Sequence, residues 1–561
     1  MDANIMNTTT NQPLRIVIIG GVAGGATAAA RARRANAQAE ITLLEKGPVV
    51  SFANCGLPYH IGGDIAQRDS LLVTTPELFH KRFRIEVRTQ TEALHINRDQ
   101  QSVEVIHHPT GEKRSIHYDR LILATGSEPL RPSFYPQQST NVFQLWTLAD
   151  MDRILDYMRS NPVKHVTVVG AGFVGLETVE QFHRLGLKVT LLEKAPQVLS
   201  PLDSEMAALI HNELVHHNVD VIVNADVREL RMNQQQATAI VLADGTEIST
   251  DLVLVGAGVR PRVELAKDAG LQLGATGGVT VNQFMQTNDP LIYAVGDMAE
   301  YHHGVTDKPS RVPLAGPANR SGRVAGAHAA SGKSTEMGSV LGTSVVRVFQ
   351  LTAACTGLSQ RACGINKIAH RTVIIQAAHH ASYFPGAKNL TLKLIYSPAD
   401  GKILGASCVG AEGADKRIDV IATAMHFGST VDDLAQVDLA YAPPYGSAKD
   451  PVHMAAFAAS NDLQQWPSLN EPNSDLSGFQ VVDVRTVKEQ QTLPLPGAIA
   501  ISVDELSTRW TELDPTRPTI CVCHSGKRAH VAACLLKGQG FSDVRNLSGG
   551  MSIRRLMVKD Q

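Results

Sequence analysis

A chain of 561 residues, 43% hydrophobic and 19% charged, is long enough for about three to five globular domains of roughly 100–200 residues each. With 52 basic against 54 acidic side chains, its formal net charge of -2 makes no electrostatic case for nucleic acid or an anionic membrane as partner. Seven scattered cysteines, an odd number, read as thiols of a reducing cytoplasm and not as a disulfide framework.

The opening stretch, Met1 to Leu14, carries one charge, at Asp2. It lacks the basic n-region and apolar core of a signal peptide, so a cytoplasmic location is expected. The apolar run Arg15 to Ala30 is broken by Gly20, Gly21, Gly24 and Gly25 and does not read as a membrane span.

Within that run, Ile16-Val17-Ile18-Ile19 predicts a buried parallel strand. A glycine-rich turn follows, Gly20-Gly21-Val22-Ala23-Gly24-Gly25, then an alanine- and arginine-rich helix to Arg34. A second strand, Ile41 to Leu44, ends in Glu45. The same design recurs: His165 to Val169, the turn Gly170-Ala171-Gly172-Phe173-Val174-Gly175, a helix, and Val189 to Leu192 ending in Glu193. Glycines make the tight turn, admit a pyrophosphate and allow close helix packing, while the helix N-terminus offers free N–H groups to phosphate. Two such units predict two dinucleotide sites. The second matches G-x-G-x-x-G fully; in the first, Val22 takes the middle position.

Between the two units stands Ser51-Phe52-Ala53-Asn54-Cys55-Gly56-Leu57-Pro58-Tyr59. Cys55 has no other cysteine before Cys355, so any disulfide chemistry it performs requires a sulfur from outside. Two further strand ends predict flavin contacts: Leu121 to Leu123 running into Ala124-Thr125-Gly126, and Leu291 to Val295 running into Gly296-Asp297, with the acid placed for a ribityl hydroxyl.

From about Ser331 the pattern becomes α+β. A strand is predicted at Leu390 to Tyr396, a helix at Asp415 to Phe427, and a proline loop at Tyr441 to Tyr445. The polar stretch Ser460 to Ser477, with Pro467 and Pro472, reads as a linker. A small α/β unit follows, with strands at Val481 to Arg485 and Thr519 to Cys523, a tight loop His524 to Arg528, and a helix from Ala529.

The first ~460 residues resemble the pyridine nucleotide–disulfide oxidoreductases. Within that superfamily the Ser51 to Tyr59 run resembles the single-cysteine branch of coenzyme A disulfide reductases and NADH oxidases. The last ~85 residues resemble a rhodanese, through Asp483-Val484-Arg485 and Cys-x-x-Gly-x-Arg at Cys523, Gly526 and Arg528. The whole is similar to a coenzyme A disulfide reductase–rhodanese fusion, of the kind called NADH-dependent persulfide or polysulfide reductase. The resemblance implies an α/β fold with two Rossmann-like domains. The FAD domain is expected at 1–135 and 260–330, the NAD domain at 136–259, a dimerisation domain at 331–460, a linker at 461–476 and a rhodanese domain at 477–561.

It also implies roles. Cys55 and Cys523 are expected to carry the sulfur chemistry, with Arg528 charging the Cys523 loop and Tyr383 and Tyr441 crossing a homodimer interface. FAD is expected at Gly20, Val22, Ala23, Gly24, Gly25, Glu45, Lys46, Ala124, Thr125, Gly126, Gly296, Asp297, Pro313, Leu314 and Ala315. NADH is expected at Gly170, Gly172, Phe173, Val174, Gly175, Glu177 and Glu193. Coenzyme A is expected at Thr27, Arg31 and Arg34, which share a helix face, and at Ser51, Asn54, Asn319 and Lys449. No metal is expected, nor any nucleic acid or membrane partner. The substrates implied are small disulfides, persulfides or polysulfides. Two competing readings are an NADH oxidase or peroxidase that holds Cys55 as a sulfenic acid, and a sulfur carrier or sensor. Two departures are visible: Thr492 to Gly497 lacks the usual Gly-His of rhodaneses, and Phe384 stands where a second Tyr is common.

Overall fold

The computed structural model describes residues 12–557. The first βαβ unit builds a five-stranded parallel sheet in the order Ile292–Ala294, Arg120–Leu123, Arg15–Ile19, Glu40–Leu44, Ile85–Arg88. Its β-branched strands are buried on both faces, as a helix-covered parallel sheet requires. Two helices, Ala23–Ala35 and Ala315–Ser331, pack against each other along small residues. A Cβ on Gly322 would lie 2.3 Å from the Gly24 carbonyl oxygen, and one on Gly326 2.3 Å from that of Ala28. Glycine is therefore obligatory at this backbone-to-backbone contact. The run Ala315 to Ser331 advertises this packing through its Gly, Ala and Ser content.

The second unit repeats the plan, with the order Asp220–Ile222, Lys188–Leu192, His165–Val169, Leu252–Val255, Val142–Phe143. The third is a five-stranded antiparallel sheet, Ser344–Val348, Leu351–Gly357, Ile403–Gly410, Asn389–Tyr396, Arg371–Ala378. Helices Ala414–His426 and Pro451–Leu463 pack against it. The fourth is a parallel sheet, Ser468–Asn470, Val544–Leu547, Thr519–Val522, Gln480–Asp483, Ile499–Ala500. The architecture is thus mixed α/β, as expected.

The stretch expected to be a linker carries regular structure. Its first residues continue the helix to Leu463, and Ser468–Asn470 is an edge strand of the last sheet. The physical reason is Asp462, wholly buried. Its carboxylate accepts from the Tyr396 hydroxyl at 2.7 Å, the Arg371 guanidinium at 2.6 Å and the Leu469 N–H at 2.7 Å. Polar composition suggested a tether, yet one of its polar residues is a buried carboxylate that anchors the stretch to Arg371 and Tyr396.

The last unit docks on the third through a sheet edge. The N–H of Ile374, on the edge strand Arg371–Ala378, donates to Ser548 Oγ at 2.7 Å, and its carbonyl accepts from Gly549 N at 3.1 Å. Gln376 Nε2 donates to Ser552 Oγ at 2.7 Å. An edge strand's free backbone groups are thereby paired. A second tie is Lys393, fully buried, with Asp203 at 2.9 Å, Gln360 Oε1 at 2.8 Å and Glu205 in contact. Gln360 in turn reaches Glu471, so one buried charge cluster joins the second, third and fourth units. Among the described residues, no helix is long and apolar enough to cross a membrane, and no group of three or more His, Cys, Asp or Glu is placed to hold a metal ion.

Candidate functional site

The two dinucleotide turns share one construction. Gly20 has φ 103° and Gly170 φ 105°. A Cβ on Gly25 would lie 1.8 Å from the Gly20 carbonyl oxygen, and one on Gly175 1.9 Å from that of Gly170. The acid closing each second strand is held by two backbone N–H groups. Glu45 accepts from Gly21 at 2.8 Å and Gly47 at 2.7 Å; Glu193 accepts from Ala171 at 2.7 Å and Ala195 at 2.8 Å. Each carboxylate is oriented before any ribose arrives.

The helices that follow the two glycine turns, and the helix that begins at Ala315, start without a side-chain cap, at Val22, Gly172 and Leu314. Their first N–H groups are free for an anion or a ring system. The helix after Leu314 places Pro313, Leu314 and Ala315 at its start, facing the turn of Gly296–Met298 through packing of the same helix. Burial pushes the Asp297 carboxyl up from its ordinary value, against the opposing effects of the Ser127 hydroxyl and Arg311. The first glycine turn, the uncapped N-termini after Val22 and Leu314 and the half-buried Asp297 fit FAD. Thr125 Oγ1 donates to the Arg262 carbonyl at 2.7 Å, and Lys46 pairs with Glu92 at 2.6 Å, so both are engaged within the protein.

Cys55 lies in a single helical turn, Asn54–Gly56, continued by the short helix Leu57–Ile61. Ser51, in the left-handed region at φ 52°, is tied to the flavin turn by its N–H to the Gly21 carbonyl at 2.8 Å. Solvent reaches Cys55, while the surrounding walls desolvate its sulfur. That desolvation, with Glu177 and then Asp297 nearby, holds the thiol above its ordinary range. Asn54 Oδ1 stands 3.7 Å from the sulfur.

Thr27 and Asn319, expected to meet the same ligand, are brought together across the glycine-lined helix pair, 2.6 Å apart. Arg31 Nε is buried without a partner, and the Arg34 guanidinium lies 5.3 Å from the Phe83 ring centroid. Tyr383 and Tyr441 share a hydrogen bond of 2.9 Å between hydroxyls. Tyr383 is 75% exposed, and Lys449 is exposed beside the buried Asp450–Arg417 pair. Among the described residues no hydrogen bond joins either tyrosine, or Lys449, to the Cys55 segment. Phe384, Tyr445 and Phe457 are exposed with them, an apolar area too aromatic for water alone.

Cys523 contrasts with Cys55. It is buried, and its sulfur accepts from Gly526 N at 3.1 Å. One N–H reaches the sulfur, and the helix starts at Lys527, inside the predicted loop. Gly526, at φ 90°, makes that early start. Arg528 is closed on Glu489 by two bonds of 2.8 and 2.6 Å. Glu489 was missed in the sequence, although Thr486-x-x-Glu489 reads as a capping box and forms one.

Tyr59, Arg347 and Glu180 were also missed. The Tyr59 hydroxyl donates to Glu177 Oε1 at 2.9 Å, and Arg347 bridges Asp64 and Glu180, 2.6 Å from each. Tyr59 stood inside the Cys55 run, but its partner is 118 residues away and left no local signal.

The family model described as pyridine nucleotide-disulphide oxidoreductase matches residues 14–331, its dimerisation domain matches 343–451, and a rhodanese-like domain matches 468–552. A coenzyme A disulfide reductase of Staphylococcus aureus (strain JH9) is 35% identical over 445 residues, 79% of this chain and 99% of that protein. The reduced Bacillus anthracis CoADR-RHD crystal structure is 40% identical, with TM-score 0.94, covering 97% of this chain and 98% of that one. A NAD-dependent persulfide reductase from A. fulgidus is 35% identical, with TM-score 0.91, covering 96% and 100%.

Proposed function

The chain belongs to the pyridine nucleotide-disulphide oxidoreductase family, and on that premise we propose that it reduces sulfur–sulfur bonds with NADH, through FAD and Cys55. The observation that carries this reading is the place of Cys55. It is a solvent-reached thiol with no partner cysteine, on the segment bonded to the flavin turn and within electrostatic reach of Glu177 on the nucleotide helix Phe173–Arg184.

Bound in the first cradle, FAD supplies two-electron chemistry, taking a hydride from NADH and returning the electron pair to sulfur. The chain's own residues do the rest. The thiolate of Cys55 attacks one sulfur of the substrate, forming a mixed disulfide and releasing the other sulfur as a thiolate. Tyr441, bonded to Tyr383, protonates that leaving group. The electron pair then cleaves the bond to Cys55, which is left as a thiolate while the held thiol departs. One NADH and one proton thus turn a disulfide into two thiols, or a persulfide into a thiol and hydrogen sulfide.

Thr27, Arg31, Arg34, Ser51, Asn54 and Asn319 bind coenzyme A, their hydroxyl, guanidinium and amide groups suiting its phosphates and amides. Lys449, Tyr383 and Tyr441 complete the site from a second copy of the chain in a homodimer. The exposed aromatics of the third unit form that interface. Cys523 receives sulfane sulfur from donors and presents it to the reductase.

NADH is preferred over NADPH, because Glu193 is already aimed by two N–H groups, and a carboxylate there repels a 2′-phosphate. The neighbouring Lys194 is drawn aside by Asp226 at 2.8 Å. The test is steady-state turnover of NADH and NADPH with coenzyme A disulfide, coenzyme A persulfide and inorganic polysulfide. NADH with a coenzyme A species should give the highest kcat/KM. Equal rates with NADPH, or turnover of none of the three acceptors, would count against the reading.

A further inference from the structure

The segment 548–552 has two faces. Toward its own unit, the N–H of Met551 donates to the Cys523 carbonyl at 2.9 Å, and that of Ser552 to the His524 carbonyl at 3.0 Å. The fit is tight, since a Cβ on Gly550 would lie 2.5 Å from both carbonyl oxygens. Gly549 and Gly550, at φ 71° and 61°, turn the chain so that the start of the helix Gly550–Met557 meets the Cys523 loop. Two N–H groups that a helix start leaves unpaired are thereby satisfied. Toward the third unit, Ser548 Oγ accepts from Ile374 N at 2.7 Å, and Ser552 Oγ accepts from Gln376 Nε2 at 2.7 Å. The Ser552 hydroxyl itself donates to the Gly549 carbonyl at 3.1 Å.

Ser552 is thus held from two sides, by the Cys523 loop through its N–H and by the third unit through its hydroxyl. Fixing the carbonyls of Cys523 and His524 fixes the planar peptide units that begin the loop. The loop then returns the Gly526 N–H to the Cys523 sulfur at 3.1 Å. We propose that Gln376 and Ser552 are positioning residues for Cys523: the edge strand Arg371–Ala378 of the third unit holds the loop in the form in which Gly526 N–H meets the sulfur, and so takes part in loading Cys523 with sulfane sulfur. This rests on the reading of Cys523 as a sulfane carrier.

In that loading the Cys523 thiolate attacks a sulfur of the donor, and a new S–S bond forms. The donor's own S–S bond breaks, and the electron pair leaves on the shortened donor. With inorganic polysulfide the products are a Cys523 persulfide and a polysulfide one sulfur shorter; no oxidant or reductant is consumed. The attacking sulfur must first carry a negative charge. An N–H stabilises that charge only while it is aimed at the sulfur. The fourth unit is therefore not self-sufficient, because part of what shapes its cysteine loop belongs to the third.

The experiment uses the full-length FAD-loaded enzyme, reduced, desalted and kept free of NADH. Inorganic polysulfide is added, samples are alkylated over time, and peptide mass spectrometry reads the persulfide on Cys523, with fragment ions separating it from Cys521. Ser552→Ala and Gln376→Leu should each slow loading about fivefold or more, as loss of an aimed donor does. Ser552→Thr, which keeps the hydroxyl, should restore it. Glu471→Ala removes a contact with Gln360, loosening the same docking away from the loop, and should load at the wild-type rate. Wild-type loading in both Ser552→Ala and Gln376→Leu overturns the proposal. So does a Glu471→Ala variant slowed as much as they are, or a Ser552→Thr variant as slow as Ser552→Ala. Failure of the underlying reading is distinct: the wild-type protein would then take up no sulfur at Cys523.

Discussion

Cys55 and Cys523 put the same element to work in opposite surroundings. Cys55 is reached by solvent, while burial of its sulfur, with Glu177 nearby, holds the thiol above its ordinary range. Cys523 is buried, accepts an N–H from Gly526 at 3.1 Å, and sits in a loop closed by the Arg528–Glu489 pair. The first site depends on its cofactor and on a visiting sulfur. The second supplies its sulfur with one hydrogen-bond donor from its own backbone. The two differ first in access, Cys55 being open to solvent and Cys523 closed from it.

The sharpest break of that comparison is a pair of serine substitutions. Cys55→Ser should lower NADH oxidation with coenzyme A disulfide on the order of 10³-fold or more, since the nucleophile itself is removed. FAD should stay bound, which its visible absorbance reports. Cys523→Ser should leave that substrate near wild-type rates and slow the turnover of polysulfide or protein-delivered sulfane. If Cys523→Ser changes no substrate, the two cysteines do not cooperate.

A smaller effect is expected at Gly526. With φ at 90°, alanine there strains the turn that aims the N–H at Cys523. Thiosulfate or polysulfide sulfur transfer should fall about tenfold, while coenzyme A disulfide reduction holds. An unaffected sulfur transfer would show that this N–H does not support the Cys523 sulfur.

Smaller again is Ser548→Ala, which leaves the Ile374 N–H unpaired at the contact between the last two units. A loss of about 1–3 kcal/mol in the stability of the docked fourth unit is expected, read as a lower urea midpoint or earlier proteolytic release. Chemistry at Cys55 should be unchanged. No change in either measurement would mean that the docking rests on other contacts.

The smallest effect is at Glu489, whose carboxyl the Arg528 hydrogen bonds hold well below the usual range. A depressed carboxylate contributes stability above its unfolded value, near pH 4–5, and loses that contribution as pH falls toward the depressed one. The pair is about a third exposed, so the contribution should be below about 1 kcal/mol. Glu489→Gln should flatten the pH dependence of the urea midpoint between pH 7 and 3. An identical slope in both proteins would remove the pair from consideration.

The parts of this molecule that were readable in the sequence are those written locally. Gly20 to Gly25 with Glu45, and Gly170 to Gly175 with Glu193, carry their reason for existing within about 25 residues. The Cys55 run and the Cys523 loop are likewise continuous. Pairings across long separations were not readable. Nothing near Tyr59 announces Glu177, and nothing near Lys393 announces Asp203 and Glu205. The linker expectation failed for the same reason, since polarity at Ser460 to Ser477 does not reveal that Asp462 turns inward to Arg371 and Tyr396. The extent of the helix after Cys523 turned on a single left-handed glycine.

The edge contact at Ile374 has a consequence for modularity. The Staphylococcus aureus relative aligns over 445 residues and 99% of its length, so it is complete without a counterpart of the fourth unit. In the present chain the strand Arg371–Ala378 delegates the covering of its outer rim to that unit. A shortened version ending near residue 460 would carry a bare strand rim with Ile374 ungraced by a partner, ready to template pairing with another copy. The appended unit is thus also a built-in solubility device, and it cannot be shed as freely as a tethered passenger. Light scattering on the shortened protein should show growth of higher aggregates, and a charged residue at Thr372 or Ile374 should suppress it.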